Sequence, residues 1–153
     1  MSNISLRTFI PNDTNIQKYL EIEKTIDTPY AEVTTSAEEA KAELQKTTAN
    51  FIFSDEDLVG FVAYQTRTEG SEMYGYIWEI VLLPEFRERG IGEIVIRKVL
   101  ELNKSFPRVC LQVDPENIPA RSLYEKLGFK IQERIENATD AGRPRLRMCY
   151  FNT

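Results

Sequence analysis

The chain has 153 residues, 42% hydrophobic and 28% charged, with a formal net charge of -5; this supports one globular domain with a sizeable core and is short for two. The acidic balance argues against a general nucleic-acid or anionic-membrane surface and mildly favours a cationic or amine-bearing partner. No apolar run is long enough to cross a bilayer and the N-terminus lacks a basic-then-apolar layout, so a cytoplasmic protein is expected.

Residues 4–10, ISLRTFI, alternate as a first strand that ends at Pro11. Asn12 or Asp13 is placed to cap a helix in which Ile16, Tyr19, Leu20 and Ile26 share a face, ending before Pro29. The connection from Thr25 to Thr35 is polar and contains Tyr30, either a pocket residue or an ordinary surface aromatic. Ser36 and Glu39 have the S-x-x-E form of a capping box and open a helix to about Thr47 that carries Ala40 and Leu44. Residues 50–54 and 58–65 read as an antiparallel hairpin around the acidic turn Ser54-Asp55-Glu56-Asp57, whose acids are too few for a metal site. Residues 66–75 read as a polar loop.

The stretch YIWEIVLLPEFRERGIG, residues 76–92, organises the rest. It reads as a buried strand, a break at Pro84, and a helix start. Strand alternation puts Ile77, Glu79 and Val81 on one side and Tyr76, Trp78, Ile80 and Leu82 on the other. Glu79 stands in an apolar run, where a carboxylate must be paired, hydrogen-bonded, protonated or facing a wet cleft. It is either a structural carboxylate or a base acting through water. The first amides of a helix lack intrahelical partners and carry partial positive charge, so they bind phosphate. Gly90 and Gly92 let a diphosphate approach the main chain, and Arg87 and Arg89 add donors. The helix over 90–104 has Ile91, Ile94, Val95, Val99 and Leu102 on its apolar face.

Residues 108–113 read as a strand parallel to the one before the helix, giving a right-handed strand-helix-strand unit. Cys110 and Cys149 fall in strands and are expected as buried reduced thiols. Asn117 caps and Gly128 stops a further helix. The chain closes with strands over 128–136 and 145–152, in which Phe129, Ile131 and Ile135, then Leu146, Met148 and Tyr150, alternate around a loop at 139–144. With no histidine present, proton transfer falls to carboxylate, tyrosine, lysine, cysteine, backbone or water.

Arg87-Glu88-Arg89-Gly90-Ile91-Gly92 fits R/Q-x-x-G-x-G/A, and Asn117 to Phe129 fits N-x-x-A-x-x-L-Y-x-x-x-G-F. Together these resemble the GNAT superfamily of acetyl-CoA-dependent N-acetyltransferases over roughly the C-terminal half of the chain. The resemblance implies one mixed-sheet α/β domain over residues 1–153, with antiparallel N-terminal strands, a parallel unit binding CoA and a C-terminal antiparallel pair. It implies that the loop of Arg87, Glu88, Arg89, Gly90, Ile91 and Gly92 holds the pyrophosphate of acetyl-CoA. The main chain of Ile80, Val81 and Leu82 would face pantetheine and the thioester. It implies Tyr124 as general acid, where the residues alone also allow a core tyrosine, and contact of Asn117 with the cofactor. Some branches that modify protein N-termini place a glutamate base where Gln112 stands here, so the base is Glu79, another group or water. The acceptor pocket would be built from residues 25–35, 66–75 and 139–144, with no metal, and a homodimer is compatible with this reading. Two other readings stand beside it. A CoA-binding sensor or interaction module without turnover shares every binding feature. A dinucleotide site would share Gly90-x-Gly92 and an acid, Asp114, about 20 residues on, but Val95 occupies the third glycine position.

Overall fold

A computed structural model describes residues 3–153. Seven strands, β1 (Ile4–Thr8), β2 (Thr48–Ser54), β3 (Asp57–Glu69), β4 (Glu72–Leu82), β5 (Arg108–Val113), β6 (Lys130–Ile135) and β7 (Arg145–Phe151), form one sheet in the order β1-β2-β3-β4-β5-β7-β6. Every neighbouring pair is antiparallel except β4 and β5. This is the mixed α/β sheet expected from the sequence. The four helices are α1 (Asp13–Glu23), α2 (Ala37–Leu44), α3 (Ile91–Leu102) and α4 (Ile118–Leu127).

Local signals set the helix ends. The Asn12 side chain accepts from the Asn15 amide at 2.8 Å, and Ser36 Oγ accepts from Glu39 at 3.1 Å, each satisfying one orphan donor. Asn117 does the same for Ala120 at 3.4 Å, and Gly128 ends α4 in the left-handed region at φ 103°. Only α3 starts with no side-chain cap: its first flanking residue is Gly90 at φ 80°.

The two faces of the sheet carry separate cores. On one, Ile91, Val95, Ile96, Val99 and Leu100 of α3 and Tyr124 and Leu127 of α4 pack on Ile77, Val109, Leu111, Val113, Leu146 and Met148. On the other, Ile16, Tyr19 and Leu20 of α1 and Ala40 and Leu44 of α2 pack on Phe51, Phe61, Ala63 and Val81. The α3 face is rotated from the one expected: Ile96 and Leu100 are buried, while Ile94 and Leu102 are 43% and 61% exposed. A stripe of 3.6-residue period admits both phases in a helix this apolar, and contact with the sheet selects one.

Three further departures have physical causes. Residues 66–75 are not a loop: β3 and β4 pair through Thr66↔Gly75, Arg67↔Tyr74, Thr68↔Met73 and Glu69↔Glu72, turning at Gly70 with φ 63°. The polar side chains stand on the exposed end of a long hairpin, with the Arg67 guanidinium 3.5 Å from the Tyr76 ring centroid. Second, the alternation expected for β4 breaks. Ala63 pairs with Glu79 but Tyr64 pairs with Ile77, leaving Trp78 as the extra residue of a β-bulge. Ile77 therefore faces α3, whereas Val81, two past Glu79, faces α1. A second bulge follows between Ile131 and Glu133 on the edge strand β6, where Ile131, opposite Met148, is 46% exposed.

Third, the expected free thiols are joined. Cys110 and Cys149 are register partners on β5 and β7, with Cα atoms 4.1 Å apart, and form a disulfide. Strand pairing brought together two residues 39 apart in sequence. Among the described residues no helix is long and apolar enough to cross a membrane.

Closing a loop of this length stabilises a fold by about 2–4 kcal/mol through the unfolded chain. Reduction, or Cys110→Ser with Cys149→Ser, is expected to lower stability to urea by about that amount; a midpoint unchanged by reductant would contradict the bond.

Candidate active site

After β4 the chain makes a short 3-10 turn at Pro84–Phe86 and two left-handed residues, Glu88 at φ 61° and Gly90 at φ 80°, before α3 begins. The first bond into the helix runs from the Ile94 amide to the Gly90 carbonyl at 3.3 Å, so the amides before Ile94 have no intrahelical acceptor. A Cβ built on Gly90 would meet no atom within 4 Å, so the space beside the loop at this residue is open. Glu93 lies in the first turn of α3, but Lys126 and Arg97 engage its carboxylate and hold it below the ordinary range. Gly92 sits against the second motif, a Cβ there falling 3.4 Å from Leu123.

The two arginines divide. Arg87 turns back: its Nε donates to the Leu82 carbonyl at 3.0 Å and an Nη to Thr25 O at 3.4 Å, with Asp27 4.0 Å away. It braces the end of β4 and the α1–α2 connection instead of reaching outward. Arg89 is exposed, its guanidinium 5.6 Å from the Phe86 ring. It borders a concavity of about 390 Å³ with Ile91, Ile94, Asp55 and Asp57.

The strand before the loop is held along its length on one edge only. β4 pairs with β3 as far as Leu82, but with β5 only at Gly75↔Val109 and Tyr76↔Cys110. Past Tyr76 the parallel strands part, and the main chain of Ile80, Val81 and Leu82 lines the parted edge. Unpaired backbone groups of this kind need another partner; the Leu82 carbonyl has one in Arg87.

On the α1 face, the Tyr19 hydroxyl donates to Glu79 Oε1 at 3.0 Å and lies 3.5 Å from Thr34 Oγ1. Glu23, fully buried on α1, accepts the Thr34 amide at 3.1 Å. Burial first, then the charge of Glu23, holds the Glu79 carboxyl well above the ordinary carboxylate range. Burial and the two glutamates likewise push the Tyr19 phenol up, so it acts only as a donor. On the α3 face, Tyr124 is buried with its ring 5.7 Å from Phe129, and burial pushes its phenol up to about 12. It is therefore a protonated acid throughout the neutral range.

Three loops meet beside this region. Asp114, at the end of β5, accepts Arg143 at 2.9 Å on both oxygens and Arg145 at 3.1 Å, and the Arg143 hydrogen bonds keep its carboxyl below the usual range. Arg145 also donates to the Tyr30 carbonyl at 2.6 Å, and Arg143 lies 5.4 Å from the Tyr30 ring. Residues 25–35 and 139–144 are thereby tied together, while 66–75 extends the hairpin away. Gln112 is exposed on β5, opposite Arg147. Asn117 spends its side-chain oxygen on the α4 cap.

Sequence reasoning named Glu79 and Tyr124 but missed Tyr19, Glu23 and Thr34. The signal was present: Glu23 follows Ile16, Tyr19 and Leu20 at helical spacing, a carboxylate on the buried face. Among the described residues no group of three or more His, Cys, Asp or Glu side chains is placed to hold a metal.

The family model of the acetyltransferase (GNAT) family matches residues 16–129. A mycothiol acetyltransferase of Corynebacterium aurimucosum is 31% identical over 78 residues, 50% of this chain and 26% of its own length. The chain thus spans about a quarter of that relative. N-alpha-acetyltransferase 30 of Schizosaccharomyces pombe is 28% identical over 102 residues, covering 61% of this chain and 68% of its own. The crystal structure of Arabidopsis thaliana NAA60 in complex with a bisubstrate analogue superposes with a TM-score of 0.78 at 20% identity, covering 99% of both chains.

The raised Glu79 group predicts a stability profile. The folded state keeps its proton above 4.5, the ordinary value, so unfolding releases it and stability falls as pH rises through that window. Glu79→Gln, which cannot ionise, is expected to match the parent at pH 4 and exceed it at pH 8, by about 1.4 kcal/mol for each pH unit of displacement. Equal urea midpoints at pH 8 would place an ordinary, solvated carboxylate at Glu79.

Proposed function

The chain belongs to the acetyltransferase (GNAT) family, and from that premise we propose that it transfers an acetyl group from acetyl-CoA to a primary amine by direct attack. The observation that carries the reading is the uncapped start of α3, entered through Gly90 at φ 80°, directly after a strand that parts from its parallel neighbour. The residues fit acetyl-CoA as substrate. Free amides at a helix N-terminus suit a diphosphate, the open side of Gly90 leaves room for it, and Arg89 adds an exposed cation. The parted edge of β4 offers main-chain groups to an extended amide-bearing arm, as a sheet edge does to an added strand.

The chemistry needs a neutral amine, a stabilised oxyanion and a protonated leaving thiolate. Glu79 removes a proton from the acceptor ammonium, directly or through water. The amine lone pair then forms the C–N bond at the thioester carbonyl, and main-chain amides of the parted β4 edge receive the oxyanion. Collapse breaks the C–S bond, and Tyr124 gives its phenolic proton to the departing sulfur. The remaining N–H proton leaves to solvent, which reprotonates Tyr124. One acetyl group moves, and one proton is released overall from an ammonium acceptor.

The relatives' names differ in what they point to, mycothiol in one and an N-alpha position in the other. The proposal accordingly stops at a primary amine, and the net charge of -5 favours a cationic one.

Acetyl-CoA at a hundredfold excess over Kd is expected to stabilise the protein by about 2.7 kcal/mol. Gly90→Val, which forces a β-branched residue to positive φ at the loop, removes most of that gain; full binding by the variant would refute the loop assignment. Thiol release is then followed with a panel of amines: a polyamine, an aminoglycoside, free amino acids, and peptides offering lysine or an N-terminal amine. Tyr124→Phe is expected to lower kcat by about 10²–10⁴ with acetyl-CoA binding retained. Binding without turnover on any acceptor would instead identify a catalytically silent CoA-binding module.

A further inference from the structure

The inward face of α1 runs Ile16, Tyr19, Leu20 and then Glu23, and Glu23 is 0% exposed. Taking a carboxylate out of water costs several kcal/mol unless it is paired. Its Oε1 accepts the Thr34 amide at 3.1 Å, while its Oε2 is buried with no hydrogen-bond partner of ordinary donor type. What stands beside it is a second carboxyl group. Glu79, brought to the α1 face by the bulge at Trp78, lies within hydrogen-bonding reach of Glu23 and accepts Tyr19 on Oε1 at 3.0 Å. The titratable groups facing Glu79 are Tyr19 and Glu23, both from α1, with the Thr34 hydroxyl beside Tyr19; none is a cation. Two bare carboxylates so placed repel each other, whereas one proton between them supplies the donor that Oε2 lacks.

We propose that Glu23 and Glu79 hold a single proton between them as a carboxyl pair, and that Glu23, acting through Glu79, makes the acceptor site selective for a protonated primary amine. The assignment of this site to the acceptor rests on the N-acetyltransferase reading. The pair carries one negative charge at rest, matched to one ammonium. An arriving ammonium replaces the shared proton, which leaves to solvent. Glu79 then takes one proton from the ammonium and shares it with Glu23, restoring the pair and leaving a neutral amine. Atoms and charge balance: one proton has passed from acceptor to solvent, and both glutamates end as they began. Tyr19 holds Glu79 in place and gives up no proton. A neutral acceptor would leave the pair's charge buried and uncompensated, which is the source of the selectivity. Glu23 is thus a positioning residue, separate from the groups that touch the acceptor.

The test needs neither acetyl-CoA nor turnover. Glutamate labelled with 13C at the side-chain carboxyl is followed by NMR across pH 4–9 in the full chain. In the parent, the Glu79 resonance is expected to titrate above the ordinary carboxylate range; in Glu23→Gln its midpoint falls by about one pH unit or more, the scale of coupled groups. Glu23→Asp, which keeps a carboxyl group, holds the midpoint near that of the parent. Should Glu23→Gln fail to fold, the parent alone decides: n-butylammonium lowers the Glu79 midpoint, and n-butanol at the same concentration leaves it in place. A midpoint unmoved by Glu23→Gln, or by the cation, overturns the pair while leaving the transferase reading intact. Absence of turnover on every amine sinks that reading and leaves the titration untouched.

Discussion

A strand paired along one edge and released on the other is the constraint on which this structure depends. β4 is held by β3 as far as Leu82, yet by β5 only as far as Tyr76. Backbone donors and acceptors buried without partners are costly, so the parted edge is stable only because solvent, or a ligand, can complete it. The same divergence sends the chain from β4 into a turn whose two left-handed residues, Glu88 and Gly90, present α3 with its first amides bare. One departure from regular pairing therefore leaves both an open sheet edge and, at its end, an uncapped helix start.

The bulge at Trp78 does a second thing. By adding one residue to β4 it turns Glu79 from the α3 face, where Ile77 packs, toward Tyr19 and Glu23 on α1. The groups proposed as acid and base are thus divided between the faces. Tyr124 sits in the hydrocarbon of α3 and α4, where burial keeps the phenol protonated. Glu79 sits against a second carboxyl group, where burial and like charge favour its neutral form. The parting of β4 from β5 opens the sheet between them. Arg87 reinforces this arrangement by fastening the Leu82 carbonyl to the α1–α2 connection through Thr25. The Asp114–Arg143–Arg145 cluster fixes that connection from the other side through Tyr30.

Much of this was legible in the sequence, and most of the parts that were not share a cause. Local chemistry was readable: the caps at Asn12, Ser36 and Asn117, the stop at Gly128, the break at Pro84 and the glycine-led start of α3 each follow from a few adjacent residues. Three of the misreadings depend on registry between distant segments. Trp78 becomes a bulge only against Tyr64 and Ala63, and nothing in YIWEIV marks it. Cys110 meets Cys149 only once β5 and β7 pair. The polar run from Thr66 to Gly75 is composed like a loop, and it is a hairpin because its cross-strand partners hold it. Glu23 is the instructive case, since its helical spacing marked it as buried while its exposed-type chemistry hid it.

The central claim is that the parted edge of β4 and the bare start of α3 together receive CoA. Amide chemical-shift mapping during a titration with CoA tests it most directly, because the reporters are the main-chain groups themselves. The account predicts saturable shifts concentrated at residues 79–82 and 88–93, with the β1–β2 edge unperturbed. Saturable shifts confined to other surfaces, with the amides of 88–93 unmoved, would contradict it.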